Sequence, residues 1–304
     1  MLKVEAISKS FLHLKAVDNI ELTIPSGMFY GLLGPNGAGK TTTIHMISSI
    51  IPPDSGRILV DGMDVYEKSN KVKLKMGIVP QEIALYEELT ALENLIFWGS
   101  LYKVTGKAAK QRAGELLHWV GLEDRKKDKI KTYSGGMKRR INIACALMHD
   151  PELILMDEPT VGIDPQSRNK IYELLTELHQ NKKTILYTTH YMEEAEKMCD
   201  RIGIIDKGRI IAEGSLQELR DHNAVEETIE IGYSGEIQEG LKGYNSTFNN
   251  DTHELIVTAK NVKLILPDVV KKCSDAGIDI INIDIKSISL ENIFLNLTGR
   301  HLRD

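Results

Sequence analysis

Cysteines are scarce in this sequence, its opposite charges nearly cancel, and long apolar runs are missing. Only three of the 304 residues are cysteines, and they lie too far apart for a zinc site or a redox-active pair. The formal net charge is −5, so nothing suggests that the whole surface binds nucleic acid or anionic lipid. No apolar run approaches the roughly 18 residues that a membrane-spanning helix needs.

We also expect no amino-terminal targeting signal. Residues 1–10 lack the apolar core of a secretory signal peptide. We therefore expect reduced thiols in the cytosol, and contact with a membrane only at its surface or through a partner. The rest of the composition, 42% hydrophobic and 27% charged residues, is typical of a folded protein, and the length predicts one large and one smaller domain.

Strand and helix signals alternate along most of the chain. The predicted strands include Leu2–Ile7, Ile20–Ile24, Phe29–Leu33, Leu153–Met156, Lys183–Thr188 and Ile202–Asp206. Helices between them indicate an α/β fold with a mainly parallel sheet. From about Glu82 to Asp150 the pattern is helical instead, and the capping box of Thr90 and Glu93 begins the first helix of this inserted lobe.

The composition shifts after Leu219. Residues 221–304 carry 14 acidic and 8 basic side chains, whereas the preceding part is nearly neutral. We predict a domain of residues 1–220, with its helical subdomain at about 82–150, and an accessory α+β domain of residues 221–304. In the latter we expect strands Thr228–Tyr233, Leu255–Ala259 and Ile278–Ile285, helices 263–276 and Leu290–Thr298, and a polar loop after Tyr233.

The sharpest motif is GPNGAGKTT, which follows a predicted strand directly and precedes a predicted helix. It fits the phosphate-binding pattern G-x-x-x-x-G-K-[ST], and the flanking elements argue against an incidental glycine-rich turn. Lys40 would reach the β- and γ-phosphates, and the Thr41 hydroxyl would bind Mg²⁺. ATP contacts are expected from Gly34, Pro35, Asn36, Gly37, Ala38, Gly39, Lys40, Thr41 and Thr42.

A second motif, LILMDEPT, is an apolar strand that ends in two carboxylates. Asp157 can bind the hydration shell of Mg²⁺, and Glu158 can orient or deprotonate the water that attacks the γ-phosphate. An ordinary turn would also explain such a strand end. The pairing with Lys40 is what favours the catalytic interpretation.

The segment TYSGGMKRR places small residues at the start of a predicted helix. Ser134, Gly135 and Gly136 are suited to a second anion site at a helix N-terminus. A plain helix cap, with Ser134 as the N-cap and no ligand, explains the same residues. The sequence alone leaves both interpretations open.

These motifs together resemble the ATP-binding cassette (ABC) family over about residues 1–220. The resemblance rests on GPNGAGKTT, Gln81, YSGGM, LILMDEP, VGID and His190, in the family's order. It implies a P-loop NTPase core with an antiparallel β edge and an inserted α-helical subdomain. The chain has YSGGM where the commoner family form is LSGGQ, so Tyr133 and Met137 differ while the serine and both glycines remain.

The resemblance implies that two cassettes close head to tail around each ATP. Ser134, Gly135 and Gly136 would then act in trans, on nucleotide bound by the partner cassette. Asp164 would contact the partner, and it can cap the helix after Pro165 at the same time. We therefore expect a homodimer on ATP binding.

Further roles follow from the resemblance rather than from spacing. Gln81 would sense Mg²⁺ or the attacking water, and His190 would hydrogen-bond the γ-phosphate, so both join Glu158 as catalytic candidates. Gln81, Thr41 and Asp157 are the expected Mg²⁺ residues. Phe11 would stack on adenine, unless it is a core residue.

The expected function is that of an ATP-hydrolysing subunit for a separate polytopic membrane permease, on the cytoplasmic face of the membrane. The permease is expected to dock near Leu85–Trp98, where Tyr86, Phe97 and Trp98 supply aromatic contacts or are lobe core. Ser289–Arg300 resembles part of the short C-terminal domain on the cassette subunits of bacterial exporters of drugs, antibiotics, ions or lipid-like compounds, which favours export. The alternative is a ribosome- or nucleic-acid-associated factor, but no nucleic-acid partner is expected.

Overall fold

The first 222 residues alternate between strands and helices. In the computed structural model, which describes residues 1–222, 227–235, 237, 241, 243–259, 262–286 and 289–299, the chain divides into two units between Leu216 and Gln217. The strands of residues 1–222 are β1 (Leu2–Phe11), β2 (Leu14–Ile24), β3 (Phe29–Leu33), β4 (Ser55–Val60), β5 (Met63–Asp64), β6 (Met76–Val79), β7 (Leu153–Asp157), β8 (Thr184–Thr189), β9 (Arg201–Asp206) and β10 (Arg209–Gly214). The α-helices are α1 (Lys40–Ile47), α2 (Ser69–Lys73), α3 (Ala91–Leu101), α4 (Gly106–Trp119), α5 (Gly135–Ala146), α6 (Pro165–Gln180), α7 (Met192–Met198) and α8 (Leu216–His222), and two 3-10 turns span Glu123–Arg125 and Ile130–Thr132.

The central sheet has six strands in the order β10-β9-β3-β8-β7-β6. Its five strands from β9 to β6 are parallel, and only the edge strand β10 is antiparallel. Strands β3, β7 and β8 are buried along their whole length, as expected of apolar strands covered on both faces. The predicted mainly parallel sheet is thereby confirmed, and the carboxyl ends of β3, β7 and β8 meet at one edge.

A second sheet supplies the antiparallel β edge. Its order is β2-β1-β4-β5, and all its pairings are antiparallel. Side chains from β1 and β2, among them Ile7 and Ile20, share one apolar cluster with Leu32 of β3 and with Ile44 and Ile47 of α1. This cluster fixes the helix that follows the glycine-rich loop.

The helical lobe contains α3, α4 and α5. The predicted capping box is present: Thr90 Oγ1 accepts a hydrogen bond from Glu93 N–H at 3.2 Å, and Glu93 Oε2 accepts one from Thr90 N–H at 2.8 Å. Leu95 of α3, Leu116 of α4 and Ile141 of α5 belong to the cluster that continues beneath β7 and β8. Across the described ranges, no helix has the length and apolar content needed to cross a bilayer.

The second unit is a small α+β fold. Its strands β11 (Glu227–Ser234), β12 (Asn245–Asn249), β13 (Glu254–Ala259) and β14 (Asp279–Lys286) form an antiparallel sheet in the order β12-β13-β11-β14. Its helices are α9 (Val262–Asp275) and α10 (Leu290–Thr298). The prediction of a continuous loop after Tyr233 is wrong at β12, because this polar edge strand lacks the apolar alternation that signals a strand. Arg300, the end of the exporter-like stretch, lies outside the described residues.

Candidate functional site

The glycine-rich loop joins the buried strand β3 to α1. Gly34 N–H donates a hydrogen bond to the Thr189 carbonyl at 3.2 Å, which ties the start of the loop to the end of β8. Gly37 and Gly39 have φ values of 79° and 107°, a region that favours glycine. A Cβ on Gly39 would lie 2.5 Å from the Ala16 carbonyl oxygen. The loop therefore needs glycine here, and its curled backbone fits a chain of phosphates.

The N-terminus of α1 is available to an anion. Its N-cap, Gly39, supplies no side-chain hydrogen bond to the first-turn N–H groups. Thr41 and Thr42 lie in that first turn and are partly buried, while Asn36 and Gly37 are exposed at the tip of the loop. Unsatisfied N–H groups and the helix dipole together favour phosphate at this end.

Lys40 is buried and points back along the loop. Its ammonium donates to the carbonyl oxygens of Gly34 at 2.8 Å and Pro35 at 3.0 Å, and it forms an ion pair with Glu158 Oε1 at 2.8 Å. The loop and the end of β7 thus converge on one cation. Of the two LILMDEPT carboxylates, Glu158 contacts Lys40 directly.

Two carboxylates lie at the carboxyl end of β7. Asp157 ends the strand, is buried, and accepts a hydrogen bond from Thr188 Oγ1 at 2.6 Å. Glu158 has a φ of 43°, and its N–H donates to the Thr188 carbonyl at 3.2 Å and the Thr188 hydroxyl at 3.0 Å. Thr188 on the neighbouring strand therefore fixes both acidic residues.

His190 directly follows β8 and completes this constellation. Its Nδ1 lies 3.1 Å from Glu158 Oε2, the carboxylate oxygen that does not contact Lys40. Lys40, Glu158 and His190 therefore form a continuous chain of polar contacts, and Asp157 joins it through Thr188. This geometry places a carboxylate and an imidazole beside the buried Lys40 ammonium, which are groups suited to acid–base chemistry.

Gln81 lies just past β6, at the entrance to the helical lobe, and is exposed. Its carbonyl accepts a hydrogen bond from Arg139 of α5, and a second nitrogen of the same guanidinium donates to the Pro80 carbonyl at 2.7 Å. Arg139 is only 3% exposed, and burial lowers the pKa of its guanidinium from the usual value. Gln81, at the entrance to the lobe, is thus held to α5, the helix that begins within YSGGM.

The YSGGM segment begins α5. Ser134 is its N-cap, with its hydroxyl accepting from Met137 N–H at 3.3 Å. The anion-site prediction for Ser134, Gly135 and Gly136 stays a prediction. Gly136 packs against the start of α6, where a Cβ would lie 2.1 Å from Ser167 Oγ. Asp164 caps α6 by accepting from Ser167 N–H at 2.9 Å, and this hydrogen bond lowers the pKa of the Asp164 carboxyl.

The aromatic candidates differ in exposure. Phe11 is 46% exposed at the end of β1, so it is not a core residue. Tyr86 and Phe97 are exposed and pack edge to face with ring centroids 4.8 Å apart. Trp98 instead packs against the apolar cluster that contains Leu95, Leu116 and Ile141.

Within the part of the chain that the structure describes, no hydrogen bond or ion pair joins Gln81, Ser134 or Asp164 to Lys40.

Sequence patterns missed Thr188 and Arg139. A threonine at the carboxyl end of a buried strand, beside a strand that ends in two acids, is the signal for the first. In the sequence Arg139 is one of three consecutive basic residues in KRR, and its hydrogen-bond acceptors lie 58 and 59 residues away, so no local pattern distinguishes it. Only the packing of α5 against the end of β6 brings them together.

Comparison with known proteins places this geometry in one family. The ABC transporter family model matches residues 17–161. Linearmycin resistance ATP-binding protein LnrL of Bacillus subtilis is 48% identical over all of both chains. Nod factor export ATP-binding protein I of Cupriavidus metallidurans is 36% identical, over all of this chain and 99% of its own length. A cassette solved as a dimer in a post-hydrolysis state with ADP and Pi is 30% identical, with a TM-score of 0.66 over 71% of this chain and 99% of its own. The chain therefore belongs to the ABC transporter family, as an ATP-binding and ATP-hydrolysing subunit.

Proposed function

We propose that residues 1–220 hydrolyse ATP with Glu158 as the group that orients or deprotonates the attacking water. The supporting observation is the contact chain from Lys40 through Glu158 to His190. Lys40 and the loop amides stabilise negative charge on the phosphates, and the His190 imidazole donates to the γ-phosphate. Residues 221–304 form an accessory domain that takes no part in this chemistry.

Mg²⁺ is the proposed metal of this site. Thr41, Asp157 and Gln81 offer a hydroxyl, a carboxylate and an amide oxygen, which are the hard ligands that Mg²⁺ prefers. When bound, the ion would neutralise charge on the β- and γ-phosphate oxygens. Chelation by EDTA should abolish ATP hydrolysis, and Asp157→Asn should raise the Mg²⁺ concentration needed to restore it.

The proposed working form is a homodimer in which Ser134, Gly135 and Gly136 of one subunit face the ATP of the other. Ser134 and Gly136 start α5, and Asp164 starts the helix that packs against Gly136. A ligand that reaches Ser134 would therefore also lie near Asp164. This supports one shared contact surface for the signature segment and Asp164.

The proposed partner is a polytopic permease, and the proposed direction is export. The relatives reported above are named for linearmycin resistance and for Nod factor export, which favours transport over action on ribosomes or nucleic acid. Drugs, antibiotics, ions and lipid-like compounds remain the substrate classes proposed. The chain would act on the cytoplasmic face of the membrane, docked near Leu85–Trp98.

Purification from gently solubilised membranes tests this assignment. A tagged chain should bring down a polytopic membrane protein and show ATPase activity in the eluate. Recovery of ribosomes or DNA in its place would contradict the transport role and leave the ATPase chemistry intact.

A surface variant sharpens the same experiment. Replacement of Tyr86 and Phe97 by alanine should reduce recovery of the membrane protein while ATP binding persists, since these rings are exposed and distant in sequence from Lys40. Leu74→Ala, which removes another exposed apolar side chain, is the matched control. Equal recovery from all three proteins would exclude the proposed docking site.

A further inference from the structure

Glu194 is a buried carboxylate with no role in the mechanism above. It lies in α7, four residues after His190, and is 2% exposed, whereas its neighbour Glu193 is exposed. Burying a carboxylate costs free energy unless hydrogen bonds replace its water. The hydrogen-bond partners of Glu194 therefore indicate its role.

Four hydroxyl groups surround this carboxylate. Oε1 accepts from Thr160 Oγ1 at 2.6 Å and from Tyr172 Oη at 2.8 Å. Oε2 accepts from Tyr187 Oη at 2.7 Å and from Thr189 Oγ1 at 2.6 Å. A carboxylate has about four acceptor positions, so its capacity is filled by neutral donors. Among the described residues, no ion pair is formed by Glu194.

The two phenols are suited to remain donors. Burial raises the pKa of both Tyr172 and Tyr187, and the negative charge of Glu194 raises it further. Both hydroxyls therefore keep their protons at physiological pH. Each of the four hydroxyl groups can therefore donate a hydrogen bond to the Glu194 carboxylate.

Two of the four donors lie in segments that flank the reacting groups. Thr189 immediately precedes His190, and Thr160 lies two residues after Glu158. Tyr187 lies within β8, and Tyr172 lies on α6, the helix that Asp164 caps. One carboxylate thus connects the segments that carry the proposed base, the proposed γ-phosphate contact and the proposed dimer contact.

The connection to His190 is the most direct. Thr189 Oγ1 donates to Glu194 and accepts from Tyr191 N–H at 2.9 Å, so hydrogen bonds enclose residue 190 on both sides. The same His190 meets Glu158 through Nδ1 at 3.1 Å. A shift of Thr189 would therefore be passed to the imidazole.

We infer that Glu194 is a positioning residue for ATP hydrolysis, which acts through Thr189 on His190 and through Thr160 on the segment of Glu158. The inference rests on the roles proposed for His190 and Glu158. In the described part of the chain, neither the glycine-rich loop nor Lys40 donates a hydrogen bond to Glu194, and the loop contacts the Thr189 backbone carbonyl rather than the hydroxyl that meets Glu194. We therefore expect nucleotide affinity to depend less on Glu194 than hydrolysis does. Hydrolysis depends on it because misplacement of a reacting group by about 1 Å can lower the rate roughly 100-fold.

The main test is Glu194→Gln in the full chain, with Glu193→Gln as the matched control. An amide keeps one acceptor oxygen and places an NH₂ group against two of the hydroxyls. We expect kcat to fall at least about tenfold while the Kd for ATP changes less than about twofold. Glu193→Gln should match the wild type in both. A lower melting temperature with unchanged kcat per folded protein would overturn the inference.

Single hydroxyl deletions keep the test decisive if Glu194→Gln does not fold. Thr189→Val removes the link to His190, whereas Tyr172→Phe removes a donor that leads to neither catalytic segment. The inference requires a larger loss of kcat in Thr189→Val, with similar Kd values for ATP in both. Equal effects on kcat would mean that the carboxylate only stabilises the fold.

His190→Ala separates this inference from the proposed function. If His190→Ala retains wild-type kcat, the role proposed for His190 fails, and the inference fails with it. If His190→Ala loses activity while Glu194→Gln and Thr189→Val keep it, only the positioning role of Glu194 is wrong.

Discussion

Glu158 combines an unusual backbone conformation with two different side-chain partners. Its φ of 43° lies in a region that glutamate rarely adopts, and hydrogen bonds from its N–H to Thr188 stabilise it there. In this conformation one carboxylate oxygen meets Lys40 and the other meets His190. Strain at this residue is therefore coupled to the geometry of the proposed base.

Glu158→Gln should separate ATP binding from hydrolysis. We expect kcat to fall by about 100-fold or more, because an amide cannot accept the water proton. ATP should still bind through Lys40 and the loop amides, and MgATP should convert the chain to a dimer on size exclusion. Glu152→Gln, an exposed carboxylate at the start of β7, is the control. A monomer at every ATP concentration would count against the catalytic role.

Phe11 tests adenine stacking. Phe11→Ala should weaken ATP binding by about 1–2 kcal/mol without lowering the melting temperature, because stacking of a base on an aromatic ring contributes this much. Leu12→Ala is the control, since Leu12 is 99% exposed in the same hairpin. Titration with a fluorescent ATP analogue measures both. Unchanged affinity in Phe11→Ala would exclude the stacking role.

Among the elements, α5 makes the most consequential connection. It begins at the signature serine, packs Gly136 against α6, and directs Arg139 to the carbonyls of Pro80 and Gln81. The helix therefore links the end of β6 to the surface proposed to meet a partner cassette. Movement of α5 would displace Gln81.

Arg139→Met measures this link. The methionine keeps the apolar stem but leaves two carbonyl groups without their charged donor, so we expect a loss of about 2–3 kcal/mol in the free energy of unfolding. Arg57→Met is the control, because the Arg57–Glu5 pair is exposed to solvent and such surface pairs contribute little to stability. Urea denaturation followed by circular dichroism compares them. Equal losses would show that Arg139 contributes no more than a surface arginine.

Elements with a local signal were predictable from sequence, and contacts between distant elements were not. The strand Phe29–Leu33, the loop after it and the start of α1 are encoded in consecutive residues, as is the capping box of Thr90. The partners of Glu194 come from positions 160, 172, 187 and 189, which no periodic pattern connects. Polar edge strands such as β12 are missed because pairing, rather than apolar alternation, defines them.

At the scale of the whole molecule, one chain carries two separate groups of residues for the proposed reaction site, and neither group is a complete site by itself. Lys40, Glu158 and His190 contact one another within the chain. Gly136 packs against the start of α6, Ser134 caps its own helix, and among the described residues neither makes a hydrogen bond to the Lys40 loop. Two chains related by a twofold axis would supply each half twice, since such an interface uses the same surface on both subunits.

Mixing two inactive variants tests whether the halves combine between chains. Lys40→Ala inactivates the loop, and Ser134→Arg blocks the signature, so each variant alone should be inactive. A mixed dimer has one site with both defects and one intact site. Random pairing at equal amounts therefore leaves about a quarter of all sites intact, and ATPase activity should return.

Two differently tagged Lys40→Ala chains are the control and should stay inactive. Inactive mixtures in which tandem purification recovers mixed dimers would rule out action in trans.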